Sequence, residues 1–255
     1  MPTEMEQTEP TFRRLWEVDT VRGIGVILMI CYHLVFDLSY FGAYSGNVLS
    51  VPWQIFARGI GSTFIFVMGI SLTLRYNRLR PKLDPGPLFR KYLWRGVQLL
   101  GWGMVITVVT YFVLDRGFVI FGILHLLGLS TILAYPFLRS RWASLVAAIV
   151  VIWLGIYIDG FVSPDPWLLW LGVKQMMRYM VDYYPVLPWS GVALLGIFVG
   201  YTLYPGGRAR FALPDLSHAI PIRGLTYLGK HSLAIYLIHQ PILLAFLILV
   251  GIGSI

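Results

Sequence analysis

Apolar runs about as long as a bilayer is thick alternate with short polar segments along most of the chain. A membrane-crossing helix needs about 20 mostly apolar residues. Seven runs qualify, at 20–41, 53–76, 92–114, 118–138, 142–159, 185–204 and 231–252. They predict an all-α fold, a polytopic membrane helix bundle of about seven transmembrane helices, with residues 1–255 as a single membrane domain. Trp16, Trp53, Tyr76, Tyr92, Trp142, Tyr184, Trp189 and Tyr204 sit near the run ends, where amphipathic rings favour the membrane interface. The pattern breaks at 160–184. Trp167 to Val173 is apolar but too short to span, and Lys174, Arg178 and Asp182 follow. An outer interfacial helix or re-entrant segment is expected there. Residues 205–224 read as an inner loop.

Composition sharpens this reading. The chain is 57% hydrophobic and only 13% charged, against about 25% charged residues in soluble domains. Mean hydropathy is +0.72. The 26 glycines and 15 prolines suit membrane helices, which accept both more readily than soluble ones. The single cysteine, Cys31, excludes an intrachain disulfide. Met1 to Pro10 is acidic and polar, unlike the basic start of a signal peptide, so the first apolar run is expected to be retained.

The net charge of +8 would point to nucleic acid in a soluble protein. Here the cations lie in short loops and set orientation instead. With the N-terminus inside, the inner segments hold fifteen: Arg13, Arg14, Arg75, Arg78, Arg80, Lys82, Arg90, Lys91, Arg95, Arg139, Arg141, Arg208, Arg210, Arg223 and Lys230. The outer segments hold three, Arg116, Lys174 and Arg178. We therefore expect a multi-pass cell-membrane protein with a cytoplasmic N-terminus and no nucleic-acid partner.

Ionisable groups inside hydrocarbon cost at least about 2.5 kcal/mol each on insertion scales, so each needs a partner or a task. The first helix carries Asp19, Arg22, His33 and Asp37. At about 100° per residue all four fall within about 60° of one another, one stripe facing the bundle interior. His33 lies about 16 Å along the axis from Arg22, near mid-bilayer. Snorkelling explains Arg22 alone, and a packing hydrogen bond explains His33 alone, but independent residues rarely align. His125 and His239 reach similar depth in the fourth and seventh runs, and Pro241 follows His239. Arg58 lies near the outer end of the second run. Together they predict a polar chamber. Gly196 and Gly200 form a GxxxG pair whose ordinary use is close helix packing. The basic stretch from Arg75 to Arg95 determines topology or binds phosphate.

Val18-Asp-Thr-Val-Arg-Gly-Ile-Gly25 followed by His33 resembles the opening of membrane acyltransferases, and Arg22 and His33 match the R-x10-H signature of the acyltransferase-3 family. The fuller pattern is more similar to the heparan-alpha-glucosaminide N-acetyltransferase-like family. Phe64 to Leu72, Gly122 to Leu129, Asp182 to Trp189 and Leu228 to Pro241 carry that similarity. The resemblance implies transfer of an acyl group, usually acetyl, from cytoplasmic acyl-CoA to a sugar or amino sugar beyond the membrane, with a histidine as base.

The residues fit such chemistry on their own terms. Acyl transfer needs a base for the acceptor proton and a donor for the oxyanion. His33, Asp37, His125, His239 and Arg58 are the catalytic candidates. Asp19, Arg22, Arg75, Arg78, Arg90, Lys91 and Arg95 are the candidates for holding acetyl-CoA or another acyl-CoA, and no metal is expected. Which histidine is the base stays open, as does a homodimer. A proton-coupled transporter or channel is the alternative, because the same His, Asp and Arg residues could relay protons. A retinal protein needs a deep lysine in its last helix, where this chain has only Lys230 at the boundary.

Overall fold

The computed structural model describes residues 15–114, 116–175, 180–211 and 214–253. Arg13 and Arg14, expected inside, Arg178, expected outside, and the acidic N-terminal stretch fall outside them. The described residues form eight α-helices in order: α1 Trp16–Tyr40, α2 Val51–Leu79, α3 Pro85–Val113, α4 Ile123–Leu133, α5 Arg141–Ile158, α6 Val186–Leu203, α7 Ile220–Lys230 and α8 Ser232–Leu249. Short 3-10 turns cover Tyr135–Arg139, Pro166–Leu171 and Pro205–Gly207. Among the described residues no strand forms beyond an isolated bridge between Val162 and Lys174.

Six of these helices are long and apolar enough to cross a bilayer, as expected of a polytopic bundle. The fourth run differs from the others. Its helix α4 has 11 residues, about 16 Å, against about 30 Å of hydrocarbon. Gly122 is extended before it, and Pro136 lies in the 3-10 turn after it. The whole segment nevertheless returns along α3. Val119 donates its N–H to Thr110 Oγ1 at one end (3.1 Å), and Tyr135 OH donates to the Pro85 carbonyl at the other (3.1 Å). α3 itself begins seven residues before the apolar run, because Pro85 suits the first helical position and carries Arg90 and Lys91 into the helix.

Small residues set the helix spacings. A Cβ on Gly196 would overlap the Phe66 carbonyl, and one on Gly69 the Ala193 carbonyl, so α2 and α6 touch backbone to backbone. Gly200 faces Thr73 across the same seam, whose hydroxyl donates to Ile197 O at 3.3 Å. The GxxxG pair thus serves packing. α3 meets α4 in the same way at Gly96 and Gly128. On the far faces, large apolar side chains such as Phe112, Trp153, Ile156 and Leu249 are exposed, as hydrocarbon-facing positions should be.

α7 occupies part of the stretch read as an inner loop, and it lies against the start of α1. Gly23 faces the Leu225 carbonyl and Gly229 the Asp19 carbonyl, while Thr20 and Thr226 share a buried hydrogen bond of 3.2 Å. α7 was hidden in the sequence because it is short and carries Pro221, Arg223 and Lys230. The chain breaks helical geometry at His231 and continues as α8, which packs against α1. In the 160–184 stretch, Pro166–Leu171 forms a 3-10 turn. Farther on, Tyr184 tucks against α2, its hydroxyl donating to the Ala57 carbonyl at 3.3 Å.

Candidate active site

The charged stripe of α1 meets two helices. Near its start, Arg22 donates to Asp19 Oδ1 at 2.6 Å and to Ser71 Oγ on α2 at 2.7 Å. This i,i+3 pair leaves the Arg22 side chain 18% exposed. About 16 Å farther along, the stripe meets α8. The His33 and His239 rings stand edge to face with centroids 4.8 Å apart. One turn outward, Gln240 Nε2 donates to Asp37 Oδ1 at 2.7 Å.

Backbone carbonyls fix both rings. His33 Nδ1 lies 2.9 Å from the Met29 carbonyl and His239 Nδ1 lies 2.8 Å from the Tyr236 carbonyl. A carbonyl oxygen only accepts, so each Nδ1 carries the proton. In the neutral rings, Nε2 then holds the lone pair, which is the form a general base needs. His239 Nε2, Asp37 Oδ2 and Gln240 Oε1 are buried without a hydrogen-bond partner among the described residues. Buried polar atoms rarely stay unpaired unless a ligand or water serves them. The orientation of His33 comes from Met29, and Asp37 is engaged with Gln240.

His125 sits elsewhere. Its Nδ1 accepts the Gly122 N–H at 3.2 Å and so caps the start of α4, while Nε2 lies 3.5 Å from Thr107 Oγ1. This is the opposite tautomer from the other two. Its ring packs beside Phe121 and against Gly103. Arg58 is exposed in the N-terminal part of α2, close enough to Tyr184 to act on its phenol electrostatically. Near the C-terminal end of α2, Arg75 lies over the Tyr92 ring at 5.6 Å, with Arg95 close enough to feel its charge. Arg78, Arg90 and Lys91 are exposed. The structure therefore brings His33, His239, Asp37 and Gln240 together, and leaves His125 and Arg58 in other surroundings.

Asp182 was not a candidate from sequence. Its Oδ2 accepts the Ile123 N–H at the start of α4 (3.0 Å) and the Tyr236 hydroxyl of α8 (3.1 Å). Tyr236 lies against His239 with ring centroids 5.7 Å apart, and its carbonyl holds His239 Nδ1. One carboxylate in a connecting segment thus locks α4 to the face of α8 that carries the histidine. Burial raises the Asp182 carboxyl to about 6, with the bonds from Ile123 and Tyr236 working against the rise. In the sequence it stood only as the first residue of the Asp182 to Trp189 segment, just before Tyr-Tyr-Pro, and its partners lie 54 and 59 residues away.

A stability prediction follows from that shift. The folded state binds the Asp182 proton more tightly than an unfolded chain does, so this stabilisation is full below about 3.8 and is lost as pH rises through about 6. Asp182→Asn removes the dependence while keeping an acceptor. The melting temperature of the variant minus that of wild type, in detergent, should grow more positive between pH 4.5 and 7.5. A difference that is flat with pH contradicts the assignment.

The family model described as heparan-alpha-glucosaminide N-acetyltransferase, catalytic, matches residues 14–241. That range takes in both paired histidines, Asp182 and Gln240. No curated protein and no solved structure matches the chain.

Proposed function

The chain belongs to the heparan-alpha-glucosaminide N-acetyltransferase catalytic family, and from that premise we propose that it moves an acyl group, most simply acetyl, from acyl-CoA to a sugar or amino-sugar acceptor, with the His33–His239 pair as the proton-handling centre. The observation that carries this reading is the pairing itself: two rings at 4.8 Å, both tied at Nδ1 to backbone carbonyls.

His33 Nε2 takes the proton from the acceptor hydroxyl or amine as its oxygen or nitrogen attacks the thioester carbon. The new bond forms to that carbon, the carbonyl electrons move onto oxygen, and their return expels the coenzyme thiolate. The imidazolium then returns its proton to the thiolate. The neighbouring His239 shares the positive charge through proton exchange with His33, and only in that protonated form does its Nε2 donate to the oxyanion. Asp37 and Gln240 present unpartnered acceptors one turn outward, suited to the hydroxyls of a sugar. Arg22, with Asp19, and the inner cations Arg75, Arg78, Arg90, Lys91 and Arg95 act on the donor side, where guanidinium and ammonium groups complement phosphate.

The test is thiol release from acetyl-CoA by the purified protein, with and without an amino sugar. Release that rises with the acceptor supports the reading. Neither binding nor consumption of the donor, together with proton flux in liposomes, favours a proton-coupled transporter.

The mechanism needs the basic loops on the cytoplasmic side, where acyl-CoA is made. Gly86 has open space around it, so Gly86→Cys in a Cys31→Ser background reports sidedness. We expect labelling by an impermeant maleimide only after permeabilisation. Labelling from outside intact cells reverses the orientation.

A further inference from the structure

Resting on the acyl-CoA reading, we infer that the groove between the first turn of α1 and helix α7 holds the phosphorylated nucleotide end of the donor, with Arg223 and Lys230 on its phosphates and Trp16 and Tyr227 against its base. The cavity there measures about 680 Å³, within the roughly 300–1,000 Å³ of small-molecule sites. Its wall includes Trp16, Asp19, Ser217, Arg223, Tyr227 and Lys230. Arg223, Tyr227 and Lys230 recur at i, i+4 and i+7 and so share one face of α7.

Charge and chemistry agree on the ligand class. Arg223 and Lys230 are exposed, and neither forms an ion pair with a described residue. The one carboxylate in the wall, Asp19, is already neutralised by Arg22 at 2.6 Å. Tyr227 is 62% exposed, leaving a ring face of the kind on which a base stacks. Two cations beside two aromatic rings suit an adenine carrying phosphates better than a bare anion.

Position and reach agree as well. The Arg22–Ser71 bond ties the start of α1 to the inner part of α2, so the groove opens at the same end of the bundle as the Arg75–Arg95 loop. From Asp19 at the groove to His33 is 14 residues, about 21 Å of helix. A fully extended pantetheine arm of about 14 bonds reaches roughly 16 Å at backbone-like bond lengths, and the pyrophosphate covers the remainder. A nucleotide anchored on α7 can thus present its thioester to the histidine pair. These cations were read from sequence only as topology determinants, because α7 was taken for a loop.

The test uses the exposed pair Arg223→Gln and Lys230→Gln together, in phospholipid-free detergent, with adenosine 3′,5′-bisphosphate and coenzyme A as calorimetric probes. Wild type should bind both. The double variant, with its melting temperature kept, should lose at least 10-fold in affinity for each, and in acyl transfer the loss should sit in the donor KM rather than in kcat. Unchanged affinities overturn the inference. So does wild type that ignores the bisphosphate yet retains anionic phospholipid better than the variant, since the groove is then a headgroup site. Nucleotide binding by wild type without acyl transfer sinks the transferase reading and leaves the groove standing. Acyl transfer with an unmoved donor KM in the variant does the reverse.

Discussion

Replacing His33 with alanine should lower acyl-transfer turnover by at least two orders of magnitude while acyl-CoA affinity stays within about twofold. General-base catalysis contributes about 10²- to 10⁴-fold, and proton transfer and donor binding use different groups. The loss should therefore fall on kcat. His239→Ala should give a loss of similar size, because the two rings touch at 4.8 Å and groups that act as a unit are not additive. The double variant should then be scarcely slower than either single one. His125→Ala provides the contrast. Its Nδ1 caps α4 at Gly122, so its loss should lower the melting temperature more than it lowers kcat in the protein that folds. Near-normal turnover in His33→Ala with collapse in His239→Ala moves the base to α8. Near-normal turnover in both removes the histidine mechanism.

The second large effect is on assembly. A Cβ at Gly229 would overlap the Asp19 carbonyl and approach the Gly23 backbone nitrogen, and a backbone obstacle cannot rotate away. Gly229→Ala must therefore push α7 off α1 and break the Thr20–Thr226 bond beneath it. Overpacking of this kind costs about 3 kcal/mol or more at its upper end, a fall of roughly 10 °C for a chain of this size. Gly224→Ala is the matched control on the same helix. Nothing lies within 4 Å of its added methyl, and alanine is the better helix former by about 0.5–1 kcal/mol, so its melting temperature should hold or rise slightly. Equal stability in the two variants contradicts the close α1–α7 contact. That contact matters for function because α7 leads directly into α8, and so sets the height at which His239 meets His33.

Much of this was legible in the chain, for physical reasons that can be named. Hydropathy reports length and apolarity, so the six long helices stood out. It does not report backbone geometry, so the fourth run concealed a non-helical entry, with Gly117 at positive φ and Gly122 extended, and a 3-10 exit around Pro136. The helical period aligned Asp19, Arg22, His33 and Asp37, and the structure finds Arg22 paired with Asp19 and Asp37 facing Gln240. Equal depth suggested three converging histidines. Two converge, but depth carries no information about which neighbour a ring faces, and His125 faces the free N–H at Gly122. Asp182 was not read as a site residue because its role exists only through Ile123 and Tyr236, distant in sequence and adjacent in space. Positive residues cluster in the segments read as inner, yet their count could not separate topology determinants from the Arg223–Lys230 face of α7.

The account turns on acyl transfer through the paired histidines between two membrane faces. The direct measurement places acetyl-CoA on the basic-loop side of oriented proteoliposomes and an amino sugar on the other, and follows labelled acetyl. Acetylated sugar should accumulate in the acceptor compartment with wild-type protein, and should fall at least 100-fold with the His33→Ala, His239→Ala double variant. No transfer by wild type, or transfer of equal size by the double variant, would contradict it.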